Sequence, residues 1–185
     1  MSIYSYLRKK IYPHNIIVNN IPQNANILDI GCGSGTILSE KILSKINSYT
    51  GIDPKVNKKI LNEKIRIYND SVENILKNIS NYDCIIMVDV MHHIKASEQE
   101  FIIQKIIESM NKNSIFIYKD ISNRNIFYSF MNKMHDLLYN FQVIKYLDSN
   151  IIINILKKYN NYSYKHFYKK ILWFDHEFLI IKKNN

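Results

Sequence analysis

The sequence predicts a doubly wound α/β domain, in which a mostly parallel sheet carries helices on both faces. Three observations support this fold class. Short apolar runs alternate with patterns of helical period along the chain. A glycine-rich turn follows the first apolar run, and the run Tyr82 to Val88 is apolar nearly throughout, as is typical of a strand buried on both faces. Strands that alternate with helices pair in parallel through right-handed crossovers.

The elements follow from these patterns in chain order. The five predicted parallel strands are Asn26–Ile30, Tyr49–Ile52, Ile65–Tyr68, Tyr82–Val88 and Ser114–Tyr118. The predicted helices are Thr36–Ile46, Val72–Ile79, one from Ser97 that ends before Asn113, and two near Arg124–Tyr139 and Asn150–Tyr159. Two later β-rich runs, Tyr164–Leu172 and Glu177–Lys182, predict an antiparallel hairpin that closes a seven-stranded sheet.

The helix from Ser97 has the most detailed prediction. Ser97 and Glu100 have the spacing of a capping box, in which each side chain bonds to the backbone of the other's residue. The residues expected on its buried face are Phe101, Ile102, Ile106 and Ile107.

The length of 185 residues indicates one domain. Residues 1–20 are expected to form a helix or arm over part of a ligand cleft, 26–120 the binding core, and 121–185 the substrate-side helices and the hairpin. No stretch reaches the roughly 18 apolar residues of a spanning helix, and the N-terminus has no secretory pattern. We therefore expect a cytoplasmic protein, with Cys32 and Cys84 as reduced, buried thiols.

The formal charge of +9 raises the question of a nucleic-acid partner. Lysine, isoleucine and asparagine are abundant throughout the chain, and the lysines are scattered or paired, which indicates a compositional bias more than one basic surface. The expected partner is therefore a small-molecule acceptor, with nucleic acid as the less favoured alternative. The oligomeric state is left open.

The most specific motif is Leu28-Asp29-Ile30-Gly31-Cys32-Gly33-Ser34-Gly35, which follows the first strand. Glycines at alternate positions permit a sharp turn and let a ligand approach the backbone. A nicotinamide-binding turn has the form G-x-G-x-x-G, but position 36 is Thr. The acidic Asp29 also suits a cationic ligand better than a pyrophosphate.

This motif resembles the first motif of the class I S-adenosylmethionine (SAM)-dependent methyltransferases, D-x-G-x-G-x-G, and the match extends over most of the chain in the family's order. The further matches are Gly51-Ile52-Asp53, Asn69-Asp70 and Asp89-Val90-Met91-His92-His93. The resemblance implies a Rossmann-like fold, SAM as cofactor and S-adenosylhomocysteine (SAH) as product. It implies cofactor contacts at Asp29, Gly31, Cys32, Gly33, Gly35, Asp53, Asp70 and Asp89.

Within that resemblance, Asp29 faces the methionine amino group, Gly31 and Gly33 line the cofactor, Asp53 binds the ribose hydroxyls and Asp70 the adenine amine. Carboxylates suit these roles because they accept hydrogen bonds from hydroxyls and amines. Structural alternatives exist for two of them. Asp53 before Pro54 also has the form of a helix N-cap, and Asp70 with Glu73 has the form of a capping pair.

The predicted acceptor side follows the fourth and fifth strands. The candidate catalytic residues are His92, His93, Lys119, Asp120 and His135. A histidine has the right intrinsic pKa for a general base, Lys119 suits an anionic group, and Asp136 could orient His135. The alternative for the histidines is loop packing, and for His135 with Asp136 it is the polar face of a helix. No metal site is expected.

The sequence therefore predicts a SAM-dependent methyltransferase that acts on a small-molecule or a lipid- or saccharide-linked acceptor, with oxygen as the favoured nucleophile. Two other classes remain open: a catalytically inactive SAM-binding subunit, and an RNA methyltransferase. The run after the fourth strand, Asp89-Val90-Met91-His92, departs from the N/D-P-P-Y/F pattern that amino-methyltransferases of nucleic acids resemble.

Overall fold

The computed structural model describes residues 13–122, 145–171 and 174–185. Eight strands in these residues form one sheet. In chain order they are β1 (Ala25–Ile30), β2 (Ile46–Ile52), β3 (Lys59–Ile60), β4 (Ile65–Tyr68), β5 (Cys84–Val88), β6 (Ile115–Ile121), β7 (Tyr162–Ile171) and β8 (Phe174–Lys183). The spatial order is β3-β4-β2-β1-β5-β6-β8-β7.

Five of these strands, in the order β4-β2-β1-β5-β6, are parallel to their neighbours. β8 pairs antiparallel with β6 and with β7, which confirms the predicted closing hairpin. The seven predicted strands are all present. The two-residue strand β3, which pairs antiparallel with β4 at the edge, was not predicted.

Five α-helices are described. They are α1 (His14–Asn20), α2 (Glu40–Leu43), α3 (Val72–Ile75), α4 (Ala96–Ser109) and α5 (Ser149–Lys157). Short 3₁₀ helices cover Leu76–Asn81 and Met91–His93. The predicted helix near Arg124–Tyr139 and residues 1–12 of the predicted N-terminal arm lie outside the described residues.

Apolar side chains form a separate core on each face of the sheet. Leu28 and Ile30 of β1 point into one core, together with buried residues of α4 and α5. Ile27 of the same strand points into the other core, where α1 contributes Ile17. This alternation along one strand is the pattern of a doubly wound sheet.

The predicted helix over Thr36–Ile46 is wrong for most of its length, since only Glu40–Leu43 is helical. Gly31, Gly33 and Gly35 all have positive φ, so the chain leaves β1 through successive turns. Ser39 is then extended, and Ile46 already pairs with Ala25 of β1. Strand pairing and the glycine conformations thus override the apolar periodicity.

Two details of the predicted helix from Ser97 are also wrong. The helix starts at Ala96 after Lys95, whose carbonyl accepts hydrogen bonds from the N–H groups of Glu98 and Gln99, so Ser97 is inside the helix and caps nothing. Phe101 is 56% exposed. The buried stripe instead consists of Gln99, Ile102, Ile103, Ile106 and Ile107.

The other two helix predictions differ at their ends. The predicted Val72–Ile79 helix is α-helical only to Ile75 and continues as 3₁₀ helix, where Asn and Ser residues favour the α-helix weakly. α5 begins at Ser149 because the carboxylate of Asp148 accepts a hydrogen bond of 2.9 Å from the N–H of Asn150. Cys32 and Cys84 are free and buried, as expected.

Candidate active site

A cavity of about 620 Å³ lies at the carboxyl edge of the parallel strands. Its walls come from the glycine turn after β1, the ends of β2 and β5, and the segments that follow β4 and β5. Open α/β sheets bind ligands in this position, beyond the carboxyl ends of the strands at the point where the strand order reverses. The predicted site residues that line it are Asp29, Gly31, Cys32, Gly33, Asp53, Asp70, Asp89 and His93.

The glycine turn is fixed by backbone bonds and by a tight contact. The N–H groups of Gly31 and Cys32 both donate to the carbonyl of Ile52, at 2.8 and 3.1 Å. Gly31 has φ +71°, and a Cβ there would lie 2.2 Å from Cγ2 of Val90. Only glycine fits this position, because both the dihedral and the space exclude a side chain.

The three glycines of the motif have different structural roles. Gly33 has φ +53° and lines the cavity. A Cβ added at Gly33 would lie 3.5 Å from the nearest heavy atom. Gly35 does not line the cavity. It has φ +88°, and a Cβ there would meet Leu38 and Ile67, so it serves the turn and its packing. Its position does not support the predicted cofactor contact.

Asp29 is a buried carboxylate at the floor of the cavity. The hydroxyl of the buried Tyr49 donates a hydrogen bond of 2.5 Å to its Oδ2. Burial raises the pKa of Asp29 to about 7; the Tyr49 hydrogen bond opposes this shift and the nearby Asp53 carboxylate adds to it. Near neutral pH, Asp29 therefore changes between a neutral and an anionic form.

Asp53 is half-buried at the end of β2, and its two oxygens accept different backbone bonds. Oδ2 accepts from the N–H of Gly33 at 3.0 Å, and Oδ1 accepts from the N–H of Lys55 at 2.8 Å. No helix follows within residues 53–64, so the N-cap alternative does not apply. Asp53 instead ties β2 to the glycine turn at the cavity wall.

Asp70 lies after β4, on the same side of the cavity. Its Oδ1 accepts from the N–H of Ser71 at 2.8 Å and from the amide of Asn74 at 2.6 Å. The N-cap of α3 is Ser71, which makes no side-chain capping bond. The structural alternative for Asp70, a capping pair with Glu73, therefore does not apply, and Glu73 also lines the cavity.

Asp89 and Lys119 form an ion pair across β5 and β6. The Nζ of Lys119 donates to both carboxylate oxygens of Asp89, at 2.5 and 2.7 Å, and the Lys119 side chain is 1% exposed. Burial would raise the pKa of Asp89, but the Lys119 ammonium holds it below its ordinary value. Lys119 does not line the cavity, so the prediction that it holds an anionic acceptor group is not supported.

His176 on β8 belongs to the same charged neighbourhood. Burial, assisted by the positive charge of Lys119, lowers the pKa of His176 to about 4. The imidazole is therefore neutral near pH 7, and it adds no second cation beside Lys119.

The two neighbouring histidines have different surroundings. His92 is buried, with Nδ1 2.6 Å from Oδ1 of Asp120 on β6, and its backbone N–H donates to Oδ2 of the same carboxylate at 3.3 Å. His93 is exposed and lines the cavity, and its ring lies 4.1 Å from that of His92. Asp120 is buried and does not line the cavity, so it serves His92 and not the acceptor directly.

Sequence reasoning missed the partners that hold these groups. Tyr49, Val90 and Gly51 were not predicted as site residues, although a Cβ at Gly51 would lie 2.6 Å from the Sγ of Cys32. The signal for Tyr49 is its position two residues before Gly51, on the face of β2 that Asp29 shares, but this is visible only once the register is known. His135 lies outside the described residues.

Two kinds of feature are absent from the part of the chain that the structure describes. It holds no group of three or more metal-ligating side chains. It also holds no helix that is both long and apolar enough to cross a membrane.

Comparisons with known proteins agree with this geometry. Residues 6–163 match the family model described as a methyltransferase domain. No curated protein matches the chain.

Several solved structures share the fold. A SAM-dependent methyltransferase from Archaeoglobus fulgidus is 14% identical with a TM-score of 0.68, over 99% of this chain and 100% of that one. Magnesium protoporphyrin IX methyltransferase from Synechocystis is 15% identical with a TM-score of 0.66, over 97% and 88%. A Burkholderia thailandensis 1,6-didemethyltoxoflavin-N1-methyltransferase is 11% identical with a TM-score of 0.70, over 99% and 82%.

Proposed function

The chain belongs to the methyltransferase-domain family and is a SAM-dependent enzyme, and from this premise we propose that it methylates an oxygen of a small-molecule or a lipid- or saccharide-linked acceptor. The proposal depends on one observation: the glycine turn, Asp53 and Asp70 line the same cavity wall as Asp89 and His93. One end of this wall has groups suited to a cofactor, and the other has a titratable side chain suited to an acceptor.

The chemistry of the cavity fits SAM at the first end. Three of the carboxylates that line it stand at separate points, Asp29, Asp53 and Asp70. They match an ammonium group, a pair of ribose hydroxyls and an exocyclic amine, which all donate hydrogen bonds. The volume of about 620 Å³ is in the range of cofactor pockets. When bound, SAM supplies a methyl group on a positively charged sulfur.

Each carboxylate has a distinct task in this proposal. Asp29, once ionised, neutralises the ammonium group at the floor of the cavity. Asp53 keeps its bond to Gly33 and presents its remaining lone pairs to the ribose hydroxyls. Asp70 accepts from the adenine amine. The turn at Gly31–Gly33 supplies backbone without side chains, so that the ligand lies against the strand ends.

At the acceptor end we assign the general base to His93. It is exposed and lines the cavity. An acceptor hydroxyl must lose a proton as the carbon–oxygen bond forms, and a histidine near neutral pH removes it efficiently. The ring of His92 lies beside that of His93, tilted by 54°, and His92 is held by Asp120, so we assign it to orient the base and not to contact the acceptor.

Calorimetry with SAH tests the cofactor assignment. We expect binding by the ligand-stripped protein and none of comparable strength by a nicotinamide dinucleotide. Tighter binding of the dinucleotide would overturn the assignment.

Methyl transfer from labelled SAM to panels of hydroxyl and amine compounds tests the acceptor. His93→Ala should lower turnover by about 10²- to 10⁴-fold and leave SAH affinity nearly unchanged. Lys95→Ala, which also removes an exposed side chain from the cavity wall, is the matched control and should retain activity. Methylation of amines alone would refute the preference for oxygen.

A further inference from the structure

A buried glutamine on α4 is used by neither the cofactor assignment nor the acceptor assignment. Gln99 is 2% exposed, and the other members of the buried stripe of α4 are all isoleucine. A side-chain amide in such surroundings costs free energy unless its hydrogen bonds are satisfied. The contacts of Gln99 therefore indicate why a polar residue occupies this position.

The side-chain amide of Gln99 meets three backbone carbonyls. Its Nε2 donates to the carbonyl of Met91 at 2.9 Å, to that of Ile94 at 3.1 Å and to that of Lys145 at 2.8 Å. Because all three partners are acceptors, the position requires a donor and suits neither a carboxylate nor an apolar side chain of the same length. The nitrogen has only two hydrogens, so at least one of them is shared between two carbonyls.

Two of these carbonyls belong to the turn that carries the proposed base. Met91 and Ile94 flank the two histidines, and the 3₁₀ helix covers only Met91–His93. The N–H of His93 donates to the carbonyl of Val90 at 2.9 Å, and the N–H of Ile94 donates to that of Met91 at 3.0 Å. A turn this short has little stability of its own, so its position depends on the contacts that anchor it.

Two side chains anchor this turn from different elements. Asp120 of β6 accepts a hydrogen bond from the backbone N–H of His92 and lies 2.6 Å from the ring of that residue. Gln99 of α4 holds the carbonyl of Ile94, the residue that follows His93. His93 and Ile94 line the cavity, but Gln99 does not. Gln99 can therefore act on the reaction only through the turn.

The third carbonyl joins the turn to a distant part of the chain. Lys145 is 46 residues after Gln99, in the segment 145–148 that leads into α5. The next residue, Tyr146, is buried, and its ring lies 5.4 Å from the ring of His92. One amide therefore holds α4, the turn and the segment before α5 in a fixed relation.

We propose that Gln99 is a positioning residue for methyl transfer, because its amide fixes the turn from which His93 reaches the acceptor. The proposal rests on the assignment of the general base to His93. Loss of the amide should misplace the base and leave the cofactor in position, since the proposed cofactor contacts come from β1, β2 and the segment after β4. Gln99 is therefore expected to affect the rate of transfer and not the affinity for SAH.

Hydrogen exchange in the ligand-free full chain tests whether the amide fixes the turn. Gln99→Met keeps the length of the side chain and removes the donor. We expect exchange at the N–H groups of His93 and Ile94 to become about tenfold faster, as for the loss of one hydrogen bond, because these groups close the turn. The N–H of Ile103, in the middle of α4, reports on global unfolding and should change less.

Gln104→Met is the matched control, because it removes a glutamine amide of the same helix that bonds to the carboxylate of Glu108 and not to the turn. It should leave the exchange of the turn unchanged. Should Gln99→Met fail to fold, Gln99→Asn withdraws the amide from the three carbonyls and allows the same comparison. Unchanged exchange at the turn, or an equal increase at Ile103, would overturn the proposal.

A double-mutant cycle tests whether Gln99 acts through His93. It uses labelled SAM and whichever hydroxyl or amine compound of the panel is methylated. Gln99→Met should lower turnover by about tenfold in the wild type and by less than about twofold in the His93→Ala variant, since a base that is absent cannot be misplaced. SAH affinity should stay within about twofold of the wild-type value throughout. A purely structural defect would lower turnover equally in both backgrounds, and that result would overturn the proposal.

The same cycle separates this proposal from the proposed function. If His93→Ala leaves turnover unchanged, the base assignment of the proposed function fails, and the positioning role fails with it. If His93→Ala lowers turnover but Gln99→Met does not, the proposed function stands and only the positioning role of Gln99 is refuted.

Discussion

The two halves of the carboxyl edge satisfy their carboxylates in different ways. On the cofactor half, Asp53 and Asp70 accept from backbone N–H groups, Asp70 accepts also from the amide of Asn74, and both half-buried residues line the cavity. On the acceptor half, Asp89 accepts from Lys119, which is 30 residues away in sequence. Asp120 pairs with His92, which is 28 residues away. In the proposed assignment the first pair binds the cofactor, whereas the second pair joins neighbouring segments of the sheet.

This difference indicates at which carboxylates a substitution can weaken ligand binding without a large loss of folding stability. A carboxylate bonded only to backbone N–H groups in a turn can be replaced with a small loss of stability and a larger loss of ligand. A carboxylate paired with a buried cation cannot, because removal of either partner leaves an uncompensated charge. Variants of Asp53 and Asp70 should therefore be ligand-binding defects, and variants that break the pairs of Asp89 or Asp120 should be folding defects.

The largest effect is expected on the acceptor half, at Lys119. Lys119→Ala leaves the Asp89 carboxylate without its cation in a mostly buried site, and we expect a loss of about 3–5 kcal/mol in the free energy of unfolding. Urea denaturation at pH 7 measures it. Since the pKa of Asp89 is lowered, the pair stabilises the fold above the ordinary value of 3.8, and the wild-type advantage should shrink as pH falls below it.

The exposed Lys182 on β8 is the control for Lys119, and Lys182→Ala should change stability by less than about 0.5 kcal/mol. An equally small loss for Lys119→Ala would break the comparison, because the acceptor half would then be held by something other than its ion pairs.

The second prediction concerns the glycine turn of the cofactor half. Gly31→Ala combines a positive φ with a Cβ placed 2.2 Å from Val90, and should cost about 2–4 kcal/mol. Gly33→Ala has positive φ but no close neighbour, so it should cost only about 1 kcal/mol. Thermal unfolding of the two variants decides whether space or dihedral angle fixes the turn, and equal losses would contradict the packing argument.

The same contrast explains what the sequence could predict. The glycine turn of the cofactor half is one local stretch of sequence, so Asp29, Gly31 and Gly33 were recognisable from their spacing alone. The parallel strands and the hairpin were also predictable, because apolar runs and turn residues mark them locally. Lys119 and Asp120 were noticed as polar residues at a strand end, but their partners depend on which strands neighbour β6.

The two wrong helix predictions have related physical causes. The apolar period of Ile37, Leu38 and Ile42 is helical, yet the glycine dihedrals and the pairing of Ile46 with Ala25 leave only four helical residues. Ser97 and Glu100 have capping-box spacing, but the helix begins one residue earlier at Ala96. In each case a tertiary constraint that has no local signal decided between two locally acceptable structures.

The third prediction separates binding from stability at Asp53. Asp53→Ala removes the acceptor proposed for the ribose hydroxyls, and SAH affinity should fall by about 1–3 kcal/mol in calorimetry. The bonds that it also loses, to the N–H groups of Gly33 and Lys55, are partly or fully solvated, so the free energy of unfolding should fall by only about 1 kcal/mol. A large loss of stability with unchanged SAH affinity would mean that Asp53 stabilises the fold, as Asp89 and Asp120 do, and does not bind the ligand.

The last prediction, and the sharpest test of the cofactor half, is the pH dependence of SAH binding through Asp29. Its raised pKa of about 7 means that the ligand-free protein carries a neutral carboxyl below that pH, whereas the proposed ammonium partner requires the anion. Binding must then release a proton, so SAH affinity should rise by about tenfold per pH unit up to about pH 7 and level off above it. Without ligand the sign is reversed for stability: the buried neutral form contributes stability at acid pH that is lost as pH rises through 7.

Two comparisons in the same calorimetry isolate Asp29. Tyr49→Phe removes the hydrogen bond that lowers the pKa of Asp29, so the level region should begin at a higher pH. 5′-Methylthioadenosine lacks the amino-acid part of SAH, and its affinity should change little over this range because it offers no ammonium to Asp29. A flat SAH profile, or the same slope for the truncated ligand, would place the amino group elsewhere. Asp29 and Tyr49 would then form a buried pair that only stabilises the fold, like those of the acceptor half.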